Sequence, residues 1–239
     1  APLFTLLGRL FIILFGDNPQ TAARGVNFMS ALASGITILF LFWTITHFAR
    51  KLVQKKGEEL SNQQVFRIMA AGVIGALAYT FSDSFWFSAV EGEVYAMSSL
   101  FTAIVFWAIL KWEHEVSHEN RSGEKFSRAD RWVLFIFYMM GLSIGVHLLG
   151  LLTIPAIVMV YYFKRYKVTR WGIFWAFLVG CAITGIVQVA IIQWSIKGAG
   201  DFDILFVNSF GMPFFVGFAV YFILLFGLLI LGLRFSEEQ

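Results

Sequence analysis

Residues 82–99 read SDSFWFSAVEGEVYAMSS and lie between two apolar stretches that are long enough to enter a lipid bilayer. They carry three carboxylates, Asp83, Glu91 and Glu93, and no basic residue. Ionisable groups near the membrane are costly, and they usually face a cavity or a partner. The stretch therefore predicts a turn between two membrane helices that brings polar side chains to one membrane surface.

The composition is that of a membrane protein. Of the 239 residues, 59% are hydrophobic and only 14% are charged, whereas soluble domains carry about 25% charged residues. The apolar runs are continuous rather than alternating, which favours helices over a strand barrel. We therefore predict an all-α fold, namely a polytopic transmembrane helical bundle that forms a single domain over residues 1–239.

The apolar stretches predict a bundle with about seven crossings, because a helix needs about 20 mostly apolar residues to cross the hydrocarbon layer. The predicted membrane helices cover residues 22–47, 67–84, 94–112, 131–147, 148–163, 171–196 and 213–234. Residues 1–21 predict a short external interfacial helix and a loop, since the apolar segment 3–15 would extend only about 20 Å as a helix. The tail of a truncated span is the alternative for this segment.

The segment 131–163 is too long for one ordinary span and short for two. Arg128 and Arg131 precede it, and a run of basic residues that starts at Lys164 follows it. If both ends face the same side, the segment crosses the membrane an even number of times. It therefore predicts two short helices that meet near His147, with a re-entrant hairpin as the alternative.

The basic residues are distributed unevenly between the two sides of this bundle. One side holds 15 of the 18, and the other holds only Arg9, Arg24 and Lys197. Cytoplasmic loops carry an excess of Lys and Arg, so the basic loops are predicted to be cytoplasmic. The predicted external segments are residues 1–21, the acidic stretch 82–93, the turn near His147 and a loop over 197–212.

Arg24 lies where the first full span meets the external interface. Under one interpretation its side chain snorkels among lipid phosphates. Under the other, the guanidinium binds the phosphate of a ligand, because its fork geometry suits that group. Arg9 allows the same choice.

The three carboxylates also allow two interpretations. Acidic groups at the start of a helix often serve only the helix dipole, but three of them among aromatic residues favour a polar binding site. Glu91 and Tyr95 are four residues apart and could share a helical face. His147 is either an ordinary buried histidine or a donor to a bound phosphate or sugar hydroxyl. The candidate substrate-binding residues are therefore Arg24, Asp83, Glu91, Glu93, Tyr95 and His147.

Other chemistries lack their sequence patterns. The single Cys181 allows no disulfide framework. His114 and His118 have the i, i+4 spacing of metal ligands but no HExxH motif, which favours a solvated loop. P-loop, GxGxxG and GxSxG motifs are missing from the sequence. We expect no metal, no cofactor and no nucleic-acid partner.

Four segments carry a resemblance to a known family. They are APLFTLLGRLFIILFG (1–16), ARGVNFMSALASG (23–35), FWFSAVEGEVYAMSSLF (85–101) and GLSIGVHLLGLLTIPA (141–156). The chain resembles a bacterial membrane family that is related to protein O-mannosyltransferases and belongs to the GT-C glycosyltransferase superfamily. The resemblance runs over essentially the whole chain, and EVYA and HLLGLL are its more specific parts.

The resemblance implies an enzyme that uses a polyprenyl-phosphate-linked sugar, on the external face of a bacterial inner membrane, with a protein or glycan acceptor. The family pattern places a catalytic acidic residue in the first external loop, ahead of a His-Pro-Pro-Gly sequence that leads into APLF. The chain is therefore expected to be an internal fragment whose catalytic residue lies upstream of Ala1. By analogy with the family, Glu93 and Tyr95 would bind sugar hydroxyls or orient the acceptor, and Arg24 and His147 would bind the donor phosphate.

Two other function classes stay open. A membrane transporter or flippase would account for the Gly-interrupted helices and for a histidine near the midplane, although the carboxylates cluster at one interface instead. A non-catalytic membrane subunit is the third possibility, since the expected catalytic loop is not in the sequence.

Overall fold

The computed structural model describes residues 1–54, 59–118 and 128–237, and this part of the chain is helical with no strand. Its α-helices are α1 (Pro2–Leu14), α2 (Pro19–Val53), α3 (Asn62–Thr80), α4 (Asp83–Val90), α5 (Val94–His118), α6 (Arg128–Ile144), α7 (Thr153–Arg165), α8 (Arg170–Ile186), α9 (Ser195–Phe210) and α10 (Val216–Glu237). A 3-10 helix (Leu148–Leu152) precedes α7, and a π-helix (Val187–Trp194) joins α8 to α9. The chain divides into two compact units, residues 1–180 and 181–239.

A tight turn connects α1 to α2 in the first unit. Gly16 and Asp17 adopt positive φ angles of 102° and 50°, a backbone region that glycine enters easily and aspartate tolerates. Asn18 then caps α2, because its side-chain oxygen accepts a hydrogen bond from the Thr21 N–H at 3.0 Å. The turn folds α1 back along the start of α2, so the predicted short N-terminal helix is present.

Small residues allow the helices of the first unit to pack closely. α2 packs against α3 and α5, and its buried residues include Gly25, Ser30, Ala33 and Ser34. Small side chains at helix interfaces are typical of membrane bundles, where close van der Waals contact drives association. A cluster of larger buried residues, Met29, Met97, Phe101 and Val146, forms the core where α1, α2, α5 and the end of α6 meet.

The predicted helix over 67–84 is wrong at its end. α3 stops at Thr80, and α4 starts at Asp83 after a bend of 68°. The bend is stabilised by ring contacts, since Tyr79 lies 4.5 Å from Phe85 between ring centroids. In the sequence, aromatic residues precede the bend at Tyr79 and Phe81 and follow it at Phe85, Trp86 and Phe87.

The segment predicted as two short helices near His147 is broken at that position. α6 ends at Ile144, and the 3-10 helix begins at Leu148. The start of α1 docks on this break, where the Leu3 N–H donates to the Gly145 carbonyl oxygen at 2.9 Å. That α6 and α7 each cross the membrane stays a prediction.

The predicted loop over 197–212 is wrong, because the second unit is helical up to Phe210. The polar and glycine-rich sequence of this segment serves helix packing instead. A Cβ on Gly198 would lie 2.9 Å from the Tyr221 hydroxyl oxygen, so α9 and α10 approach closely there. The Asp203 carboxylate accepts hydrogen bonds from the N–H groups of Phe215 and Phe218, each at 3.2 Å, and thereby caps the start of α10.

The prediction of a polytopic membrane protein is supported by helix length and composition. In the described residues, five helical segments are long and apolar enough to cross a membrane, or six if the bent pair α3–α4 forms one span. α6 has 17 residues and is not among the five. The count of about seven crossings and the single domain stay predictions.

The orientation of the bundle can be tested by cysteine labelling. Cys181 is exposed and must first be replaced by serine. In intact cells we expect an impermeant thiol reagent to label Gln20→Cys, and to label Lys167→Cys only after permeabilisation, because both positions are exposed and lie on opposite predicted sides. Labelling of position 167 in intact cells would contradict the orientation.

Two other kinds of position are less suited to this test. Ala199 is buried in α9. The basic residues Lys55, Lys56, Arg121 and Lys125 lie outside the described residues.

Candidate functional site

Two of the candidate residues, Tyr95 and His147, are brought together by the fold. Tyr95 lies in the first turn of α5, and His147 lies in the break between α6 and the 3-10 helix. Their ring centroids are 5.6 Å apart. Because these residues are 52 positions apart in the sequence, only the docking of α5 against the α6 break creates this pair.

His147 is held in one orientation by the backbone. Its Nδ1 accepts a hydrogen bond from the Leu149 N–H at 3.1 Å and caps the 3-10 helix. A neutral imidazole whose Nδ1 accepts carries its proton on Nε2. The ring therefore offers an Nε2–H donor, which is the chemistry that a phosphate or hydroxyl oxygen requires.

Glu91 and Glu93 lie in the turn that connects α4 to α5, and both are exposed. The turn rests on α2, since a Cβ on Gly92 would lie 2.9 Å from Val26 Cγ1 and 3.0 Å from Asn27 Oδ1. Glu91 has an extended backbone and precedes α5. The proposal that Glu91 and Tyr95 share a helical face is therefore wrong, because the helix begins only at Val94.

Asp83 lies at the other end of α4 from Glu91. It belongs to the first turn of α4, where a negative charge stabilises the helix dipole. Eight residues of helix at 1.5 Å each separate the two carboxylates by about 12 Å. The three carboxylates of the acidic stretch therefore do not form one cluster.

Arg9 of α1 and Arg24 of α2 differ in their partners. Arg9 forms a two-pronged ion pair with Asp17, in which Nη2 donates to Oδ2 at 3.0 Å. Arg24 is exposed on α2, and the ion pairs of the described residues do not include it. It lies three residues, or roughly 4.5 Å along the helix axis, before Asn27, which touches the Glu91–Glu93 turn. Of these two guanidinium groups, that of Arg9 is therefore the one paired with a carboxylate among the described residues.

A groove of about 390 Å³ runs between α2, α3 and α5 and begins at Tyr95. Its α5 wall carries the hydroxyl groups of Tyr95, Ser98, Ser99 and Thr102, which repeat every three to four residues along one helical face. Sequence reasoning overlooked this row, although the spacing was a readable signal. Its other lining residues include Tyr79 of α3 and Leu149 of the 3-10 helix.

The deeper part of the groove is apolar in character. Thr37 and Thr44 line it, but their hydroxyls donate to the carbonyl oxygens of Ala33 and Phe40, each at 2.8 Å. Threonines bonded to their own helix in this way have little hydrogen-bonding capacity left to donate to a ligand. The groove thus combines polar groups near Tyr95 with walls that suit a hydrocarbon chain.

Within the described residues, no group of three or more His, Cys, Asp or Glu side chains is arranged to hold a metal ion. The chemistry at Tyr95 and His147 is that of hydrogen bonding and charge. Such groups can orient a phosphate-bearing or hydroxyl-bearing ligand.

The sequence profile of the protein O-mannosyl-transferase TMEM260 N-terminal domain matches residues 1–170. The chain belongs to this family. The match covers every helix from α1 to α7, and so it contains Tyr95, His147 and the whole groove. The family-level resemblance to protein O-mannosyltransferases is thereby confirmed, whereas the bacterial origin and the GT-C placement are not tested by this match.

Two curated relatives of the family are similar to part of the chain. Protein O-mannosyl-transferase tmem260 of Dictyostelium discoideum is 25% identical over 160 residues, which are 64% of this chain and 17% of the relative. Protein O-mannosyl-transferase TMEM260 of Mus musculus is 28% identical over 121 residues, which are 51% of this chain and 14% of the relative. The chain thus spans about a sixth of the length of the relatives it matches. No solved structure matches it significantly.

Proposed function

We propose that the chain is part of an integral membrane glycosyltransferase that transfers a sugar from a polyprenyl-phosphate donor to a protein or glycan acceptor. We propose that this membrane is a bacterial inner membrane and that the reaction takes place on its external face. The observation that carries this proposal is the family match over residues 1–170, which includes all six candidate residues. The names of the two curated relatives favour a mannosyl group and a protein acceptor.

The groove between α2, α3 and α5 supports a lipid-linked donor. Its apolar part would take the first isoprene units of the prenyl chain, and the donor phosphate would then lie near Tyr95 and His147. The His147 Nε2–H and the Arg24 guanidinium would donate to the phosphate oxygens, as charge-assisted hydrogen bonds to phosphate are among the strong ones. Glu93 and the Tyr95 hydroxyl would bind sugar hydroxyls or orient the acceptor, and Glu91 and Asp83 would lie farther out on the same surface.

By the family pattern, the catalytic acid would lie in a first external loop that leads into α1. In the structure, Leu3 is hydrogen-bonded to Gly145, two residues before His147. A loop that leads into α1 would therefore arrive beside His147 and Tyr95. This proximity supports a single site that combines the upstream acid with the residues described here.

Arg24→Ala tests the phosphate role. In the full-length protein we expect weaker binding of the polyprenyl-phosphate donor, by about 1.5–3 kcal/mol for a lost charge-assisted hydrogen bond. Arg24→Lys should recover only part of this, because lysine keeps the charge but loses the fork geometry. The measurement is the KM for the donor, together with the thermal stability of each purified variant.

Arg9→Ala is the matched control, since it removes a second arginine at the same end of the bundle that is already paired with Asp17. It should leave the donor KM unchanged, because an exposed ion pair stabilises the fold by no more than about 1 kcal/mol. Equal effects of the two substitutions on the donor KM would show that Arg24 acts through general surface charge, and its assignment to the phosphate would be wrong.

A further inference from the structure

A second cavity, of about 380 Å³, lies between α2, α3 and α5 at the opposite end of α5 from Tyr95. It is formed by the last turns of α2, the first turns of α3 and the fourth and fifth turns of α5. We call it the basic cavity, after the three basic side chains in its lining, His47, Arg50 and Lys111. It shares no lining residue with the groove at Tyr95.

The charges in the basic cavity are not balanced by acids in its walls. Its lining, as far as the described residues go, contains no Asp or Glu. Glu113 is the carboxylate that has a Coulomb interaction with His47. It already forms an ion pair with Lys51 and lies 3.8 Å from Lys164 Nζ. The cavity therefore has a positive potential that favours an anion.

Aromatic side chains give the basic cavity a second property. Trp43 and Trp107 line it with ring centroids 5.9 Å apart, and Lys111 Nζ lies 5.3 Å from the Trp107 ring centroid. Tryptophan is enriched at the level of lipid headgroups, because its N–H can form a hydrogen bond there while the rest of its ring contacts apolar groups. His47 adds an Nε2 atom that is buried and has no hydrogen-bond partner among the described residues.

The rim of the basic cavity is apolar and open to the outside of the bundle. Val65 and Met69 of α3 line the cavity and are 42% and 46% exposed. In a membrane, such exposed side chains of α3 face acyl chains rather than water. A ligand that fills the cavity thus meets basic groups at one end and hydrocarbon at the other.

We propose that the basic cavity binds the phosphate headgroup of an anionic phospholipid. Arg50 and Lys111 would donate to the phosphate oxygens, and the first carbons of the acyl chains would pack on Trp43, Val65 and Met69. Basic pockets between membrane helices on the cytoplasmic side bind anionic headgroups in this way, because that leaflet is negatively charged. The proposal does not depend on the sugar-transfer reaction, since the cavity lies apart from the proposed active site.

Native mass spectrometry of the purified chain in detergent tests the proposal, with phosphatidylglycerol or phosphatidylcholine added. We expect the wild-type chain to retain one phosphatidylglycerol molecule in preference to phosphatidylcholine. The double substitution Arg50→Gln/Lys111→Gln should weaken this retention roughly 10- to 30-fold, as expected for two basic groups near a lipid surface. Arg50→Lys should weaken it less, because the charge remains.

Lys167→Gln/Arg170→Gln is the matched control. It removes the same charge from two exposed residues that do not line the cavity, and it should leave the retention of phosphatidylglycerol unchanged. The thermal stability of each variant without lipid shows that the chain is folded.

Three outcomes would overturn the proposal. The first is equal retention of phosphatidylglycerol by the wild-type chain and a folded Arg50→Gln/Lys111→Gln variant. The second is equal weakening by the control pair, which would point to a diffuse charge effect. The third is full displacement of the lipid by millimolar inorganic phosphate, which would make the site one for a free anion. None of these outcomes bears on the donor KM, so the proposed function is tested separately.

Discussion

Gly25→Ala is expected to destabilise the protein and to release α1 from α2, whereas a glycine-to-alanine change within a helix usually stabilises that helix. A Cβ at position 25 would lie 2.9 Å from the Phe11 carbonyl oxygen, 3.2 Å from the Phe11 carbonyl carbon and 3.4 Å from Ile12 Cα. These are all backbone atoms of α1, which cannot rotate away as a side chain does. Overpacking of this kind costs about 1–3 kcal/mol, and the whole helix α1 must shift to relieve it.

Gly35→Ala is the matched control in the same helix, because a Cβ there meets no atom within 4 Å. It should stabilise α2 by up to about 1 kcal/mol through helix propensity. Thermal unfolding in detergent would measure both variants, and hydrogen exchange of the α1 amides would report its release. If Gly25→Ala were as stable as Gly35→Ala, with α1 still protected, the close crossing of α1 and α2 would be wrong.

Glu93→Gln is expected to lower the turnover of the full-length protein by roughly 10- to 150-fold, which corresponds to the loss of a charge-assisted hydrogen bond of about 1.5–3 kcal/mol. The substitution keeps the size of the side chain and removes its charge. Glu93 is exposed and immediately precedes α5, so its burial cannot account for a large loss of activity. Turnover and thermal stability should be measured on the same purified variant.

Asp83→Asn provides the comparison at the carboxylate on the other end of α4 from Glu91. Asp83 lies in the first turn of α4, and its loss should cost from a few tenths to about 1 kcal/mol of stability through the helix dipole. Its turnover should change far less than that of Glu93→Gln. The assignment of Glu93 to the substrate would fail if Glu93→Gln reduced stability to the same extent as Asp83→Asn while leaving turnover intact.

The length of the apolar, charge-free segments was enough to predict the all-helical membrane fold. A membrane helix satisfies its backbone hydrogen bonds internally, so its apolar composition alone identifies it. The break near His147 was also predictable, since small residues and proline surround it. The pairing of His147 with Tyr95 was not, because it depends on how α5 docks against α6. Only residues within one helix, such as Ser98, Ser99 and Thr102, leave a spacing that reveals a shared wall.

The segment 197–210 shows why polarity alone misleads. Lysine, two glycines and two aspartates in seven residues, 197–203, are typical of a loop. In the structure Gly198 and Asp203 have reasons to lie in a helix, since Gly198 admits the Tyr221 ring and Asp203 caps α10. Such tertiary contacts override the local preference. The position of the bend after Thr80 was not predicted, because aromatic residues stand on both sides of it in the sequence, at Phe81 and at Phe85.

The most direct test of the central claim is sugar transfer by the full-length protein, reconstituted in phospholipid vesicles with polyprenyl-phosphate mannose and a protein acceptor on the outside. We expect the wild-type protein to mannosylate the acceptor. A folded His147→Ala/Arg24→Ala variant should transfer at least about tenfold less at a limiting concentration of the lipid-linked sugar, since two hydrogen-bonding partners of the phosphate are lost. Movement of the lipid-linked sugar across the bilayer with no transfer, or full transfer by the double variant, would contradict this claim.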